Sequence, residues 1–249
     1  MNIANALDIG QKKECICFVG AGGKTTSMFR LAKELKTMGK RVVVTTTTKI
    51  FYPEEKLYDV ICISRAHDEV LGFAERIDTP GIYVIGSIQL EQNKLEGLEP
   101  ELLCRLYGLD NIDYVLAEAD GAKQKTIKAP AAHEPVIPAC TTSAVGVIGL
   151  DAIGMTADES TVHRLEEFCS VTGCRPGEEI NTDHIISLVK HTKGLYKNVQ
   201  SSIKKYVLLN KADNDIAQEN ARYIKAELKL DGNLKVLIGN VNSNDPVLE

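Results

Sequence analysis

Short, near-continuous apolar runs alternate along this chain with longer stretches of helical periodicity. Glu14–Gly20 (ECICFVG) reads as a buried strand, and the β-branched run Val42–Thr48 as a second. The same pattern predicts strands at Tyr58–Ser64, Ile82–Ser87, Tyr114–Ala119, Ala144–Leu150, Tyr206–Asn210 and Lys235–Val241. Because these runs are apolar throughout rather than alternating, they predict a sheet covered on both faces. Between the first two, Met28, Leu31, Ala32, Leu35 and Met38 make one stripe of a helix over Thr25–Met38, which Gly39 stops. Thr156 and Glu159 have capping-box spacing, predicting a helix through about Cys169. Asp183–His191 and Asp215–Leu230 are the other helical segments. Strands alternating with helices predict an α/β fold with a mostly parallel sheet and helices on both faces. The stretch from about 151 to 200 lacks strand patterns and predicts a small helical insertion in a single domain spanning residues 1–249. Lys128–Pro138 (KAPAAHEPVIP) holds three of the eight prolines, so it must be extended or irregular.

Composition narrows the class. A hydrophobic fraction of 44% against 25% charged residues excludes intrinsic disorder. Lys plus Arg is 29 and Asp plus Glu is 34, a net charge of −5. That balance offers no footprint for nucleic acid or an anionic membrane, and neither is expected as a partner. No apolar stretch approaches the roughly 20 residues of a spanning helix. The first twenty residues lack a basic start followed by a long apolar run, so no secretory signal is expected. Seven cysteines, an odd number at irregular spacing, predict reduced thiols and a cytoplasmic protein. Cys169 and Cys174 have no partner pair of zinc-like spacing, which argues against a metal site there.

The strongest chemical signal is Gly20-Ala21-Gly22-Gly23-Lys24-Thr25-Thr26, directly between an apolar strand and an amphipathic helix. Such a loop points successive backbone N–H groups at a phosphate, and the helix N-terminus adds partial positive charge. Lys24 is expected to meet the outer phosphates and the Thr25 hydroxyl to meet Mg²⁺. The loop is shorter than the usual phosphate loop, whose first glycine would stand at Phe18. Glu118 and Asp120 close the strand Tyr114–Ala119, where a carboxylate can hold a Mg²⁺-bound water or orient an attacking one. Asn210-Lys211-Ala212-Asp213 follows a late strand and has the form that reads guanine, Asp213 accepting from the base N–H groups. The fold expectation thereby sharpens to a P-loop NTPase-like one.

Weaker signals surround these. Thr45–Thr48 with Lys49 occupies the usual place of a switch segment, although threonines are also good strand formers. Lys123, Lys125 and Lys128 follow the acidic pair and can neutralise phosphate or an anionic substrate, or simply be solvated. Lys128, His133 and Glu134 of the proline segment are expected to form part of a substrate or partner surface beside the phosphate loop. His163 and Arg164 fall on the helix predicted from Thr156.

Taken in order, GAGGKTT at Gly20–Thr26, VTTTTKI at Val44–Ile50, EADGA at Glu118–Ala122 and KAPAAHEPVIP at Lys128–Pro138 resemble the YqeC family. VHR at Val162–Arg164, TGC at Thr172–Cys174 and NKAD at Asn210–Asp213 extend the resemblance. Ala122-Lys123 departs from it, since a serine and an arginine are expected there. The resemblance implies an accessory role in maturing selenium-dependent molybdenum hydroxylases, within selenium cofactor biosynthesis. It supplies a pathway, and the residues supply a nucleotide-dependent mechanism. The leading expectation is a Mg²⁺-dependent GTPase-type maturation factor, with the client hydroxylase or another maturation factor as partner. An ATP-dependent ligase or kinase that activates a small acid or chalcogen species stands beside it, since the short loop is similar to that of Mur-type amide ligases. A non-catalytic nucleotide-binding regulator is the third.

Overall fold

The computed structural model of the chain describes residues 1–228 and 234–249. In chain order its elements begin with α1 (Ile3–Ala6), β1 (Glu14–Gly20), α2 (Lys24–Thr37), β2 (Arg41–Thr46), β3 (Lys49–Phe51) and β4 (Val60–Ile63). Then come α3 (His67–Ala74), β5 (Gly81–Gly86), β6 (Ile88–Leu90), β7 (Lys94–Glu96) and α4 (Pro100–Gly108). The second half holds β8 (Tyr114–Glu118), β9 (Ile127–Lys128), β10 (Ser143–Gly149), β11 (Val162–His163), α5 (Leu165–Thr172) and α6 (Thr182–Lys190). It ends with β12 (Lys204–Asn210), α7 (Asp215–Leu228) and β13 (Leu234–Ile238).

Eight strands form one sheet in the order β13-β12-β10-β1-β8-β2-β5-β4, every neighbouring pair parallel. Strand β1 is buried along its whole length, and successive side chains enter opposite cores. Ile16 and Phe18 pack with Ile3, Leu7, Met28, Leu31 and Leu35 of α1 and α2. Cys15, Cys17 and Val19 belong to the other cluster, with Val70 of α3, Leu103 of α4, Phe168 of α5, Ile185 of α6 and Ile224 of α7. This two-sided cover explains why the strands read as unbroken apolar runs. From β1 the chain builds outward in both directions, through β8 on one side and β10 on the other. The carboxyl ends of strands at such a switch point form the usual ligand crevice of an open α/β sheet.

Several expected elements change. The strand expected over Val42–Thr48 ends at Thr46, because Thr48 N–H folds back onto Thr46 Oγ1 at 3.0 Å. Lys49–Phe51 instead joins β7 and β6 in a separate three-stranded antiparallel sheet. The helix expected from Thr156 through about Cys169 forms only from Leu165 onward. Thr156 bridges Glu179, and Asp158 Oδ1 accepts from the N–H groups of Ser160 and Thr161, holding the chain in a turn. Val162–His163 then pairs with Ile127–Lys128, so the stretch 151–200 contains a strand, and α5 starts only at Leu165. His163 and Arg164 accordingly precede a helix rather than lie on one. The last two residues of the helix expected over Asp215–Leu230 lie outside the described residues. No helix among the described residues is long and apolar enough to cross a membrane.

Candidate functional site

The loop from Gly20 to Thr26 leaves β1 at the switch point and enters α2. Gly20, Gly22 and Gly23 take φ of 93°, 79° and 126°, a region open to glycine. A Cβ on Gly22 would collide with the Gly149 backbone, and one on Gly23 with the Asn210 amide. Gly23 caps α2 without a side chain, so no side chain occupies the helix's first N–H groups. Those groups and the helix dipole suit an anion.

Beside them lies a buried charged centre. Lys24 is 3% exposed; its Nζ donates to the Gly20 carbonyl at 2.6 Å and stands 2.9 Å from Asp120 Oδ1 and 3.3 Å from Glu118 Oε1. Burial alone would lower its pKa, but the Asp120 and Glu118 carboxylates outweigh burial and raise it. The Thr25 hydroxyl donates to Glu118 Oε2 at 2.6 Å, and Gly20 N–H donates to Asp120 Oδ2 at 3.1 Å. Asp120 Oδ1 is buried, and its one partner among the described residues is the Lys24 ammonium at 2.9 Å, which leaves a lone pair spare. A hydroxyl, two carboxylates and a spare buried lone pair are hard oxygen donors, a set that fits Mg²⁺.

The charge chain continues outward. Lys128, 2% exposed, reaches Asp120 Oδ2 at 3.2 Å, Glu134 Oε2 at 2.8 Å and the Gly121 carbonyl at 2.6 Å. Arg164 closes the series with Nε and Nη2 on the two oxygens of Glu134, at 3.1 and 3.2 Å. Three cations thus face three carboxylates. Burial pushes the Glu134 carboxyl up, but Lys128 and Arg164 prevail and hold it at about 2. His163 is pushed down to about 4 by burial and by the charges of Lys128 and Arg164, so its ring is neutral at physiological pH. Of the proline-segment residues expected on an accessible surface, only His133 is exposed; Lys128 and Glu134 are spent on this internal network.

Threonines lock the segment to the sheet. Thr46 Oγ1 donates to the Glu118 carbonyl at 2.7 Å and Thr47 Oγ1 to the Val136 carbonyl at 2.8 Å, while Val136 N–H donates to the Ala119 carbonyl at 2.9 Å. The Thr47 hydroxyl and the Ala119 carbonyl therefore hold the Val136 part of Lys128–Pro138 against the ends of β2 and β8.

The structure brings Asn210 to the loop. Asn210 is 2% exposed, donates from Nδ2 to the Gly22 carbonyl at 2.8 Å and accepts Val241 N–H on Oδ1 at 3.0 Å. Lys211 pairs with Asp151 Oδ2 at 2.6 Å, while Asp213 is exposed and bonds the Asn240 amide. A cavity of about 1460 Å³ opens over the loop. Phe51, Tyr52 and Lys94 from the small sheet line one wall, and Lys123, Lys125 and Arg164 line another. Lys211, His133, Glu134 and His163 also border it. Sequence reasoning missed Asp151 and the Phe51–Lys94 wall. No motif marks them, because three-residue strands leave no periodicity to read.

Comparison with known proteins gives two findings. A family model described as "YqeC protein" matches residues 16–166, which include the loop, the carboxylates, the proline segment and Arg164. An Escherichia coli (strain K12) protein described as "Uncharacterized protein YqeC" is 33% identical over 220 residues, covering 86% of this chain and 84% of that protein.

Proposed function

This chain belongs to the YqeC family, and we propose that it is a cytoplasmic, Mg²⁺-dependent nucleotide triphosphatase, with GTP preferred over ATP. Its turnover serves the maturation of selenium-dependent molybdenum hydroxylases. One observation carries the nucleotide reading: Thr25 Oγ1 lies 2.6 Å from Glu118 Oε2 beside a helix N-terminus that no side chain caps. The pathway rests on the family likeness, and the cytoplasm on seven cysteines that are all free thiols.

In this reading the backbone N–H groups of Gly22–Thr26 orient the phosphates. Lys24 exchanges Asp120 and Glu118 for the outer phosphate oxygens. Thr25 and Glu118 would hold Mg²⁺, which when bound neutralises charge on the transferring phosphoryl group. Asp120, freed from Lys24 on Oδ1, accepts from and orients the attacking water. Asn210 pins the loop while Asp213 reads the base. The test is a titration with GTP and ATP, with and without Mg²⁺, followed by phosphate release. Mg²⁺-dependent binding and release with GTP favoured are expected; a folded protein that binds neither nucleotide overturns the proposal.

The cavity's size favours a second reading. At about 1460 Å³ it exceeds the roughly 300–1,000 Å³ of an ordinary small-molecule pocket. A ligase or kinase would hold an anionic co-substrate against Lys94, Lys123 and Arg164. Phosphate release that requires an added small acid, instead of proceeding alone, distinguishes it.

A further inference from the structure

The turn between α5 and α6 gathers donor groups that the charged centre does not use. Gly173, at φ 79°, reverses the chain after α5 and donates its N–H to the Cys169 carbonyl at 2.9 Å. The backbone then curls. Arg175 N–H donates to Glu178 Oε2 at 2.8 Å, Glu178 N–H returns to the Arg175 carbonyl at 3.0 Å, and Ala157 N–H fixes the Glu178 carbonyl at 2.7 Å. Asn181 caps α6, with His184 in its first turn. As a result the Cys174 sulfur, a Glu178 oxygen and a His184 ring nitrogen lie within 4.8 Å of one another.

Three details distinguish this convergence from an ordinary polar cluster. Cys174 and His184 are 2% and 8% exposed, so two of the donors are already stripped of water. Among the described residues, none of the three side chains hydrogen-bonds to another, and no lysine or arginine pairs with Glu178. Their recorded bonds are to backbone groups of Arg175 and Asn181. Ligands at 2.0–2.3 Å around a tetrahedral ion stand roughly 3.3–3.8 Å apart, so closing on one requires movements of about 1 Å.

We propose that Cys174, Glu178 and His184 form a three-ligand site for a zinc-class divalent cation, with water in the fourth position, which clasps the α5–α6 turn. A sulfur, an imidazole and a carboxylate are a soft-to-borderline set that prefers zinc-class ions over Mg²⁺. None of the three lines the large cavity, so the ion is separate from the proposed nucleotide centre. Loading expels the Cys174 thiol proton, because only the thiolate ligates. An ion on His184 Nε2 also moves the ring proton to Nδ1, giving up the 3.2 Å bond from Asn181 N–H. The clasp braces α5, whose cap residue Arg164 reaches Glu134 at the cavity wall.

Cobalt titration of the full chain, stripped by chelator under reducing conditions, tests the site. One equivalent of Co²⁺ is expected to give thiolate charge-transfer absorption and the intense visible bands of tetrahedral cobalt. Zn²⁺ should bleach both, and excess Mg²⁺ should not. Cys174→Ser should abolish the charge-transfer band. Glu178→Gln, at an exposed position that folding tolerates, should weaken binding by about tenfold or more. Cys140→Ser should change nothing. A weak six-coordinate spectrum, or binding indifferent to both Cys174→Ser and Glu178→Gln, overturns the proposal. So does loss of the bands in Cys140→Ser, because that would put the ion on a separate thiol group, where Cys140 Sγ lies 3.9 Å from Cys15 Sγ and Cys140 N–H donates to Cys104 Sγ at 3.2 Å. Should Cys174→Ser fail to fold, Glu178→Gln decides alone.

Discussion

Replacing Glu134 with Gln tests whether the charge chain behind the loop is as tightly coupled as its distances indicate. Glu134 is 5% exposed and meets Lys128 at 2.8 Å and Arg164 at 3.1 Å. Gln keeps the volume and one acceptor but removes the charge. The carboxyl falls from an ordinary 4.5 to about 2 in the folded chain. At 1.36 kcal/mol per pKa unit that is worth about 3 kcal/mol, trimmed to about 2 because the Arg164 side chain is 27% exposed and partly screened. The folded value is depressed, so the contribution is fully present above the unfolded value of 4.5 and is lost as pH falls towards 2. Denaturant unfolding of wild type and Glu134→Gln across pH should therefore show a gap of about 2 kcal/mol from pH 7 to about 5. Below about pH 4.5 the gap should shrink, by at most about 1.4 kcal/mol per pH unit. In thermal melts the neutral-pH gap corresponds to about 4–8 °C for a chain of this size. A gap under about 0.5 kcal/mol at pH 7, or one that stays constant to about pH 3.5, refutes the reasoning.

Lys24→Ala should cost roughly 3–5 kcal/mol of nucleotide affinity. It should also destabilise the nucleotide-free chain by a similar amount, because Glu118 and Asp120 lose their shared cation; calorimetry and denaturant melts read the two effects. Unchanged nucleotide affinity in a folded variant would remove the phosphate-loop reading. Asp213→Ala should erase a preference for GTP over ATP, worth about 1.5–3 kcal/mol, while phosphate binding survives. Equal binding of both nucleotides by the wild type contradicts that role, leaving Asp213 as a partner for Asn240 only. Gly23→Ala should lower stability by about 1–3 kcal/mol from its φ of 126° alone, with further loss from displacing the Asn210 amide. Melting indistinguishable from wild type would show that the loop relaxes freely.

The central strands and the loop were legible because their signals are local. Seven consecutive buried residues in β1, followed by GKTT, need no distant information to be recognised. What was not legible depends on pairings far apart in sequence. Lys49 meets Glu96 across the small sheet, and each of its strands is three residues long. The expected capping box at Thr156 failed for the same reason. Its local pattern was sound, but Thr156 is held by Glu179, and Val162 finds a partner in Ile127. Lys128 and Glu134 are expected on an accessible substrate or partner surface, and unpaired charges do avoid burial. Their mutual pairing reverses that expectation, and only the folded chain reveals it.

The sheet order explains why these groups meet at all. Loop, carboxylates and Asn210 each follow the carboxyl end of a strand, and β8 and β10 flank β1 directly, with β12 one strand further. A chemistry-bearing residue at any of these ends is therefore delivered to the same edge. The ion chain then runs away from the loop, from Lys24 through Asp120, Lys128 and Glu134 to Arg164. With three cations against three carboxylates, the chain is balanced only while Lys24 stays in it. Under the proposed function, phosphate draws Lys24 away, and Glu118 and Asp120 are left short of positive charge. A divalent ion restores the balance, and without it Lys128 is pulled from Glu134 towards Asp120. Arg164 borders the cavity and precedes α5, so in that reading a charge displaced at the loop would reach the cavity through this chain. Coupling of this kind requires burial, because exposed pairs at the same distances would be screened by water and salt. Under the proposed function, the near-complete burial of Lys24, Asp120, Lys128 and Glu134 would carry a nucleotide-driven displacement of charge from the loop to Arg164 with little screening.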